Sequence, residues 1–378
     1  MRILQLGKFY PIRGGVEKVM WDLTRGLSAR GVDCDMLCAT LPSDRTDPQD
    51  EGLEQPDGSL RFNAHGRVIR VKALSKKAAT MISPAMVSWL RRHRADYDII
   101  HVHHPDPMAA LALRLSGFRG KVVLHWHSDI LSQKLLLSLY RPLQNWLIRR
   151  ADIIVGTTPV YVKSSPWLND VQQKCTYVPI GIKPITIDKV ASDAVSGRFP
   201  GKTILFSVGR LVPYKGFSVL IRAMKYLPEK YQLIIGGSGP LRNQLEELID
   251  SEGLRGRVFL EGYLSDEALR ANYGACDIYV LPSIMKTEAF GIVQIEAMSC
   301  GKPVVATTIP GSGVSWVNED GVSGRNVTPG EPKLMAGAIE DVMDNYRNFS
   351  HGARARFEEM FCEENMINSI HTIYETLV

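Results

Sequence analysis

Short apolar runs of strand length alternate with segments of helical period along the whole chain. In the first half RILQLG, DCDMLC, RVIRV, DIIHVHH, KVVLHW, DIIVG and CTYVPI predict strands, with helices near 15–30, 80–94, 106–116, 132–150 and 158–168. The second half repeats the style. TILFSVG, YQLIIGG, RVFLEG, DIYVLPS and PVVATT predict strands, and helices fall near 216–227, 240–253, 265–275 and 290–300. Such alternation predicts an α/β protein, with parallel sheets covered by helices on both faces. Residues 41–60 read as a polar loop, and GIKPITIDKVASDAVSGRFPGK (181–202) loses periodicity and carries Pro, Gly and Ser. That joint predicts two doubly wound domains, 1–180 and 181–360, with 361–378 a terminal helix returning to the first. Ligands of open parallel sheets bind beyond the carboxyl ends of the strands. Two facing sheets would line a cleft with those ends, so strand-end residues are the candidates for chemistry.

A length of 378 residues fits two domains, and 45% hydrophobic with 22% charged residues is an ordinary globular composition. No apolar run approaches the roughly 20 residues of a spanning helix, and the opening MRILQLGKFYPIRGG lacks a signal peptide's apolar region, so a cytoplasmic location is expected. Six cysteines without CxxC or zinc spacing are expected to be reduced and chemically silent. Charge is uneven: residues 1–180 hold 25 Lys+Arg against 16 Asp+Glu (+9), and the rest hold 20 against 24 (−4). A basic first half suggests an anionic partner, whether phosphate, nucleic acid or membrane lipid; ordinary solvated charge is the alternative.

The stretch KTEAFGIVQIEAMSCGKPVVAT (286–307) sets Glu288 and Glu296 on either side of an apolar run. A short helix is predicted from Phe290 to Cys300, stopped by Gly301 and Pro303. Glu296 would then sit among apolar neighbours, where a carboxylate needs a partner. A structural carboxylate capping a neighbouring loop is the alternative. The first-turn amides of Phe290, Gly291, Ile292 and Val293 suit a phosphate. Glu288 is better placed for sugar hydroxyls and Glu296 for a ribose. After TILFSVG, Arg210 and Lys215 stand five apart in a strand-end loop, a spacing that suits a diphosphate. The GGSG turn at 236–239 is neither a P-loop nor a GxGxxG fingerprint.

In the first half, Gly14 and Gly15 allow close backbone approach after the opening strand. His125 and His127 share a face, and His101, His103 and His104 lie at another strand end. A metal site is weighed there and set aside, since no cysteine or paired carboxylate accompanies the histidines. Asp33 and Asp35 form an Asp-x-Asp at the opening of an early strand, so strand-edge charges are the preferred reading. No metal is expected.

Together, GRLVPYKG, GGSGPL, EGYLS, ACDIYVLPS and the Glu-x7-Glu pair Glu288/Glu296, in that order, resemble the retaining glycosyltransferases of family 4, with the two-Rossmann-domain GT-B fold. The resemblance spans almost the full chain and includes GGVEK and HWHSD. It implies that Arg210 and Lys215 hold the donor diphosphate, that Glu296 holds the ribose and that Glu288 holds the donor sugar's hydroxyls. It also implies that Gly15 approaches the phosphate, that His127 contacts the transferring sugar, and that Gly14, Gly239, Tyr263 and the amides of 290–293 complete the donor site. Two departures touch donor identity: Ile180 replaces the family's Asn in PIG, and IPGSGVSWV replaces a Gly-Gly-Glu pattern.

FYPIRGGVEKVM, HWHSDI and SIMKTEAFGIVQIEAMSCGKPVV (283–305) look most like bacterial O-antigen and surface-polysaccharide mannosyltransferases. GDP-mannose is thus the favoured donor, a glycan or lipid-linked glycan the acceptor. A UDP-sugar hexosyl- or N-acetylhexosaminyltransferase and a sugar-nucleotide epimerase are the alternatives; a nucleic-acid partner is not expected. The helix at 132–150 carries Leu135, Leu136, Leu139, Leu143, Trp146 and Leu147 on one stripe, with Lys134, Arg141, Arg149 and Arg150 around it. It reads either as a core helix or as a peripheral contact with the anionic inner face of the cell membrane.

Overall fold

The computed structural model describes residues 1–12, 14–44, 53–77, 80–130 and 134–378. The chain divides into two compact units: Met1–Gly181 with Glu363–Val378, and Ile182–Cys362.

The first unit contains β1 (Arg2–Phe9), β2 (Asp33–Thr40), β3 (Leu53–Glu54), β4 (Leu60–Asn63), β5 (Gly66–Lys72), β6 (Ser75–Lys77), β7 (Thr80–Ile82), β8 (Ile99–His104), β9 (Lys121–Trp126), β10 (Ile153–Gly156) and β11 (Cys175–Tyr177). Nine of them form one sheet in the order β11-β10-β9-β8-β1-β2-β5-β4-β3, while β6 and β7 pair separately. The strands from β11 to β5 run parallel, and the β3–β4–β5 edge is antiparallel. From β1 the chain winds outward through β2 and β5, then returns to β8 on the other side. β1 and β8 therefore flank the switch point where such sheets bind ligands.

The second unit holds β12 (Thr203–Val208), β13 (Tyr231–Gly236), β14 (Val258–Gly262), β15 (Ile278–Val280), β16 (Val304–Thr307) and β17 (Gly324–Val327), all parallel, ordered β14-β13-β12-β15-β16-β17. Its switch point lies between β12 and β15. Leu205, Leu233, Ile235, Val280 and Val305 bury one face of this sheet against Leu220, Ile221, Leu245, Ile249, Ile339 and Val342 from the covering helices. Each such side chain contributes about 1.5–3 kcal/mol.

The expected α/β class and two Rossmann-like sheets are both present. Three local expectations are corrected. The helix expected over 80–94 starts at Pro84, because Ser83 accepts a bond from the Met86 amide and Pro84 fits a first helical turn; Thr80–Ile82 become β7. The helix expected over 158–168 stops at Ser164, since Pro166 drives Ser165 into extended backbone (φ −77°, ψ 117°). In the loop expected over 41–60, Leu53–Glu54 and Leu60 enter strands, while 45–52 lie outside the described residues. β17, GRNV, was invisible to an apolar-run criterion, and its backbone pairs with β16 regardless of side chain.

The terminal helix Glu363–Leu377 belongs to the first unit. Arg30 donates to Asn368 (2.5 Å), the Gly181 amide lies 3.4 Å from Met366 Sδ, and Tyr374 is fully buried against Gln5 and His101.

Candidate active site

At the switch point of the second unit, two loops meet. The first follows β12. Pro213–Lys215 make a single tight turn ended by Gly216 in the left-handed region (φ +68°), where any Cβ would lie 2.0 Å from the Pro282 carbonyl. The Tyr214 carbonyl accepts the Ile284 amide (2.8 Å), which ties this turn to the second loop, after β15. Lys215 is thereby aimed at Glu288: Nζ lies 2.6 Å from Oε2, with each side chain 12% exposed. The buried Ser283 hydroxyl donates to the same carboxylate oxygen at 3.0 Å. Arg210, on the same loop, is exposed and has no ion-pair partner among the described residues. The third loop, after β13, holds Gly239, where a Cβ would sit 2.4 Å from the Leu211 carbonyl. Glycine here lets the two phosphate-side loops touch.

The helix Ile292–Ser299 begins two residues later than expected, with Gly291 as its cap (φ +76°). First-turn amides of any helix have no intrahelical acceptor, so Ile292 and Val293 carry the N–H groups of the helix start, whereas Phe290 and Gly291, expected in the first turn, precede it. Phe290 is buried, its ring edge-on to Phe361 at 6.0 Å. Glu296 is half-buried rather than enclosed, because it faces outward from the helix whose Ile295, Ala297 and Met298 are fully buried. It accepts a 2.6 Å bond from the hydroxyl of fully buried Tyr273. Burial first, and then the neighbouring carboxylate, push the Tyr273 phenol well above its ordinary range, so it stays a donor. Tyr263 stands 81% exposed on the loop after β14.

In the first unit, Gly14 caps the helix Gly15–Ala29, and both glycines are exposed beyond β1. His103 on β8 sits in register with His125 on β9. With His101 and His127 they make a two-by-two patch of buried imidazoles on one sheet face: rings stack at 4.6 Å (His101–His103) and 4.0 Å (His125–His127). Burial before all else holds these rings neutral. His101, His103 and His127 lie well below the ordinary imidazole range and His125 is driven down to about 3. Nitrogens of His103, His125 and His127 come within 4.8 Å of one another. Yet the His125 and His127 rings are parallel within 6° at 4.0 Å, face on face. An ion in the plane of one ring therefore lies out of the plane of the other, a poor fit to in-plane imidazole lone pairs.

Asp33 and Asp35 open β2, at its amino end. Asp33 meets His65 at 2.8 Å, while Asp35 accepts from Tyr97 (2.7 Å) and Arg67 (3.3 Å). Residues that sequence reasoning missed are Ser283, which closes the ACDIYVLPS motif but was given no role, Tyr273, which carries no motif of its own, and Gln5, whose one signal was a lone amide in an apolar strand.

Two doubly wound sheets, each with a switch point, and a cation–carboxylate pair at one of them make an architecture suited to binding nucleotides. Residues 13–184 match the model described as Glycosyltransferase Family 4, and 188–359 match Glycosyl transferases group 1. The chain belongs to glycosyltransferase family 4. The O-antigen chain mannosyltransferase C of Escherichia coli is 31% identical, the alignment covering 100% of this chain and 99% of that one. A D-rhamnosyltransferase of Pseudomonas aeruginosa is 30% identical over 96% and 92%. Among solved structures, Anabaena HepE in complex with UDP superposes with TM-score 0.77 at 22% identity, covering 100% of both chains. Sucrose-phosphate synthase of Thermosynechococcus elongatus superposes at 0.78 and 23%, covering 100% and 99%. At these identities the structures bear on the fold alone.

Proposed function

We propose that the protein transfers a hexosyl unit, mannose from GDP-mannose in the first instance, with retention at the anomeric carbon, to a lipid-linked or polysaccharide acceptor in bacterial surface-polysaccharide synthesis. The observation that carries the reading is the Lys215–Glu288 pair at the β12/β15 switch point, with exposed Arg210 on the same loop as Lys215. Mannose is favoured by the full-length likeness to the E. coli mannosyltransferase and by a 28% identical phosphatidyl-myo-inositol mannosyltransferase of Mycobacterium leprae.

In the reaction, the acceptor hydroxyl oxygen bonds to the anomeric carbon on the face that the diphosphate leaves. The carbon–oxygen bond to phosphate breaks, and the hydroxyl proton passes to the departing phosphate oxygen. Arg210, Lys215 and the helix amides stabilise the charge on that phosphate. Glu288 already accepts from Lys215 and Ser283, which suits a carboxylate that orients sugar hydroxyls better than a free nucleophile. Glu296, held by Tyr273, takes the ribose hydroxyls. No metal is needed, since cations and a helix terminus supply the positive field.

The helix Lys134–Arg150 supports peripheral contact with an anionic membrane. Leu139 is 77% exposed next to exposed Arg141, whereas Leu147 is fully buried. No helix among the described residues is long and apolar enough to cross a membrane.

The test incubates the protein with a panel of GDP- and UDP-sugars without acceptor and follows slow hydrolysis. Preferential release of mannose and GDP is expected. Consumption of a UDP-sugar in its place overturns the donor, and consumption of none overturns the reading.

A further inference from the structure

Four buried polar groups in the first unit form one continuous chain of hydrogen bonds that ends on His127. Gln5, the polar residue inside β1, donates from Nε2 to the Tyr374 hydroxyl on the terminal helix at 2.9 Å. Its Oε1 lies 2.8 Å from His103 Nε2. His103 Nδ1 in turn lies 2.9 Å from His127 Nε2. All four residues are at most 5% exposed.

The proton on each link follows from what each atom can do. An amide oxygen only accepts, so His103 Nε2 carries the hydrogen. The His103 ring is neutral in its buried site, so its Nδ1 is a lone pair. The bond to His127 then requires that His127 Nε2 donate. That leaves Nδ1 of His127 as a lone pair too, and it is buried with no hydrogen-bond partner among the described residues. The Tyr374 hydroxyl accepts from Gln5 and gives its own hydrogen to His101 Nδ1, 2.5 Å away. An unmatched buried acceptor costs about 1–3 kcal/mol, and His127 lies just past the carboxyl end of β9, where ligands of such sheets bind.

We propose that Tyr374, Gln5 and His103 are positioning residues that fix His127 as the Nε2–H tautomer, presenting Nδ1 as an acceptor for a hydroxyl of the sugar being transferred. An acceptor nitrogen takes a hydroxyl and disfavours a phosphate oxygen, so the chain selects which part of the donor meets this strand end. The role in transfer rests on the reading that His127 faces the sugar; the tautomer itself does not.

The experiment is nitrogen-detected NMR of histidine-labelled full-length protein, with kinetics on the same samples. Wild type is expected to give His127 as one tautomer, protonated at Nε2. Tyr374→Phe removes the hydroxyl that orients the Gln5 amide, and Gln5→Leu removes the amide. Either is expected to yield a mixture of His127 tautomers and a roughly tenfold lower kcat with donor KM within about twofold. Tyr374→Phe keeps the ring in place and serves if Gln5→Leu fails to fold. His127 protonated at Nδ1 in wild type, or an unchanged single tautomer in both variants, overturns the proposal. A tautomer that scrambles as expected while His127→Ala retains full activity leaves the chain in place and removes His127 from the transfer reaction.

Discussion

Lys215 Nζ and Glu288 Oε2 lie 2.6 Å apart at the junction of two loops, so a residue expected at the donor phosphate and one expected at the donor sugar hold each other in place. A base and an acid assigned to different parts of one substrate are thus a single unit before it arrives.

Removing Lys215 should have two effects. Lys215→Met loses a charge-assisted phosphate contact of about 1.5–3 kcal/mol, one to two decades in kcat/KM. It also leaves the Glu288 carboxylate short of a partner, which at about 1–3 kcal/mol lowers Tm by several degrees. Arg210→Ala should cost similar activity with Tm nearly unchanged, because Arg210 is exposed. Calorimetry beside kinetics checks this; equal Tm losses would mean that the pair contributes nothing to the fold.

The two glutamates should separate kinetically. Glu288→Gln is expected to lower turnover more than nucleotide affinity, and Glu296→Gln the reverse. Tyr273→Phe frees Glu296 from its 2.6 Å bond and should weaken nucleotide binding in the same direction. Titration with the bare nucleoside diphosphate decides, and the opposite ordering would exchange the two assignments.

Activity should persist in excess chelator. Loss restored by added divalent metal would return attention to the His103, His125 and His127 nitrogens.

Acid should destabilise the first unit early. Five of its histidines, at 101, 103, 104, 125 and 127, have imidazoles depressed chiefly by burial, His104 and His125 to about 3. Unfolded imidazoles titrate near 6.5. Above that pH the contribution is complete; below it the unfolded chain takes up protons that the folded unit refuses, and stability falls towards the folded pKa values. Each ring adds a slope of up to about 1.4 kcal/mol per pH unit. Urea midpoints should drop steeply from pH 6.5 to 5, and His125→Phe should flatten the curve. A level profile in wild type would mean that the folded patch accepts protons.

Vesicle sedimentation tests the helix Lys134–Arg150. Binding to anionic vesicles that fades with salt is expected, with each basic residue near the surface contributing about 1 kcal/mol, and Leu139→Ser together with Arg141→Ser should weaken it. No partitioning at low salt would refute the membrane contact.

The α/β class was legible because buried parallel strands such as TILFSVG and YQLIIGG are continuous apolar runs whatever their partners. The strand-end positions of Arg210, Lys215 and Glu288 followed from the same runs. What lay hidden depends on contacts across long sequence distance. Nothing local says that Tyr273 reaches Glu296, or that Tyr214 ties its turn to Ile284 and so aims Lys215. The apolar stripe of 132–150 suggested a single environment, yet Leu139 faces water and Leu147 the core, a division set by what neighbours each turn of the helix. Likewise HVHH and HWH each announced histidines at a strand end, but their convergence needed the register of β8 on β9.

Because Glu363–Leu377 completes the first unit, the second unit is an insertion within it. During synthesis, every residue from Ile182 to Cys362 leaves the ribosome before the helix bearing Tyr374 does. The downstream unit has its full sequence available first. The upstream sheet waits with Gln5 and His101 uncovered until the last segment of the chain arrives, so the interval of greatest vulnerability to misassembly falls on the half that was made earliest.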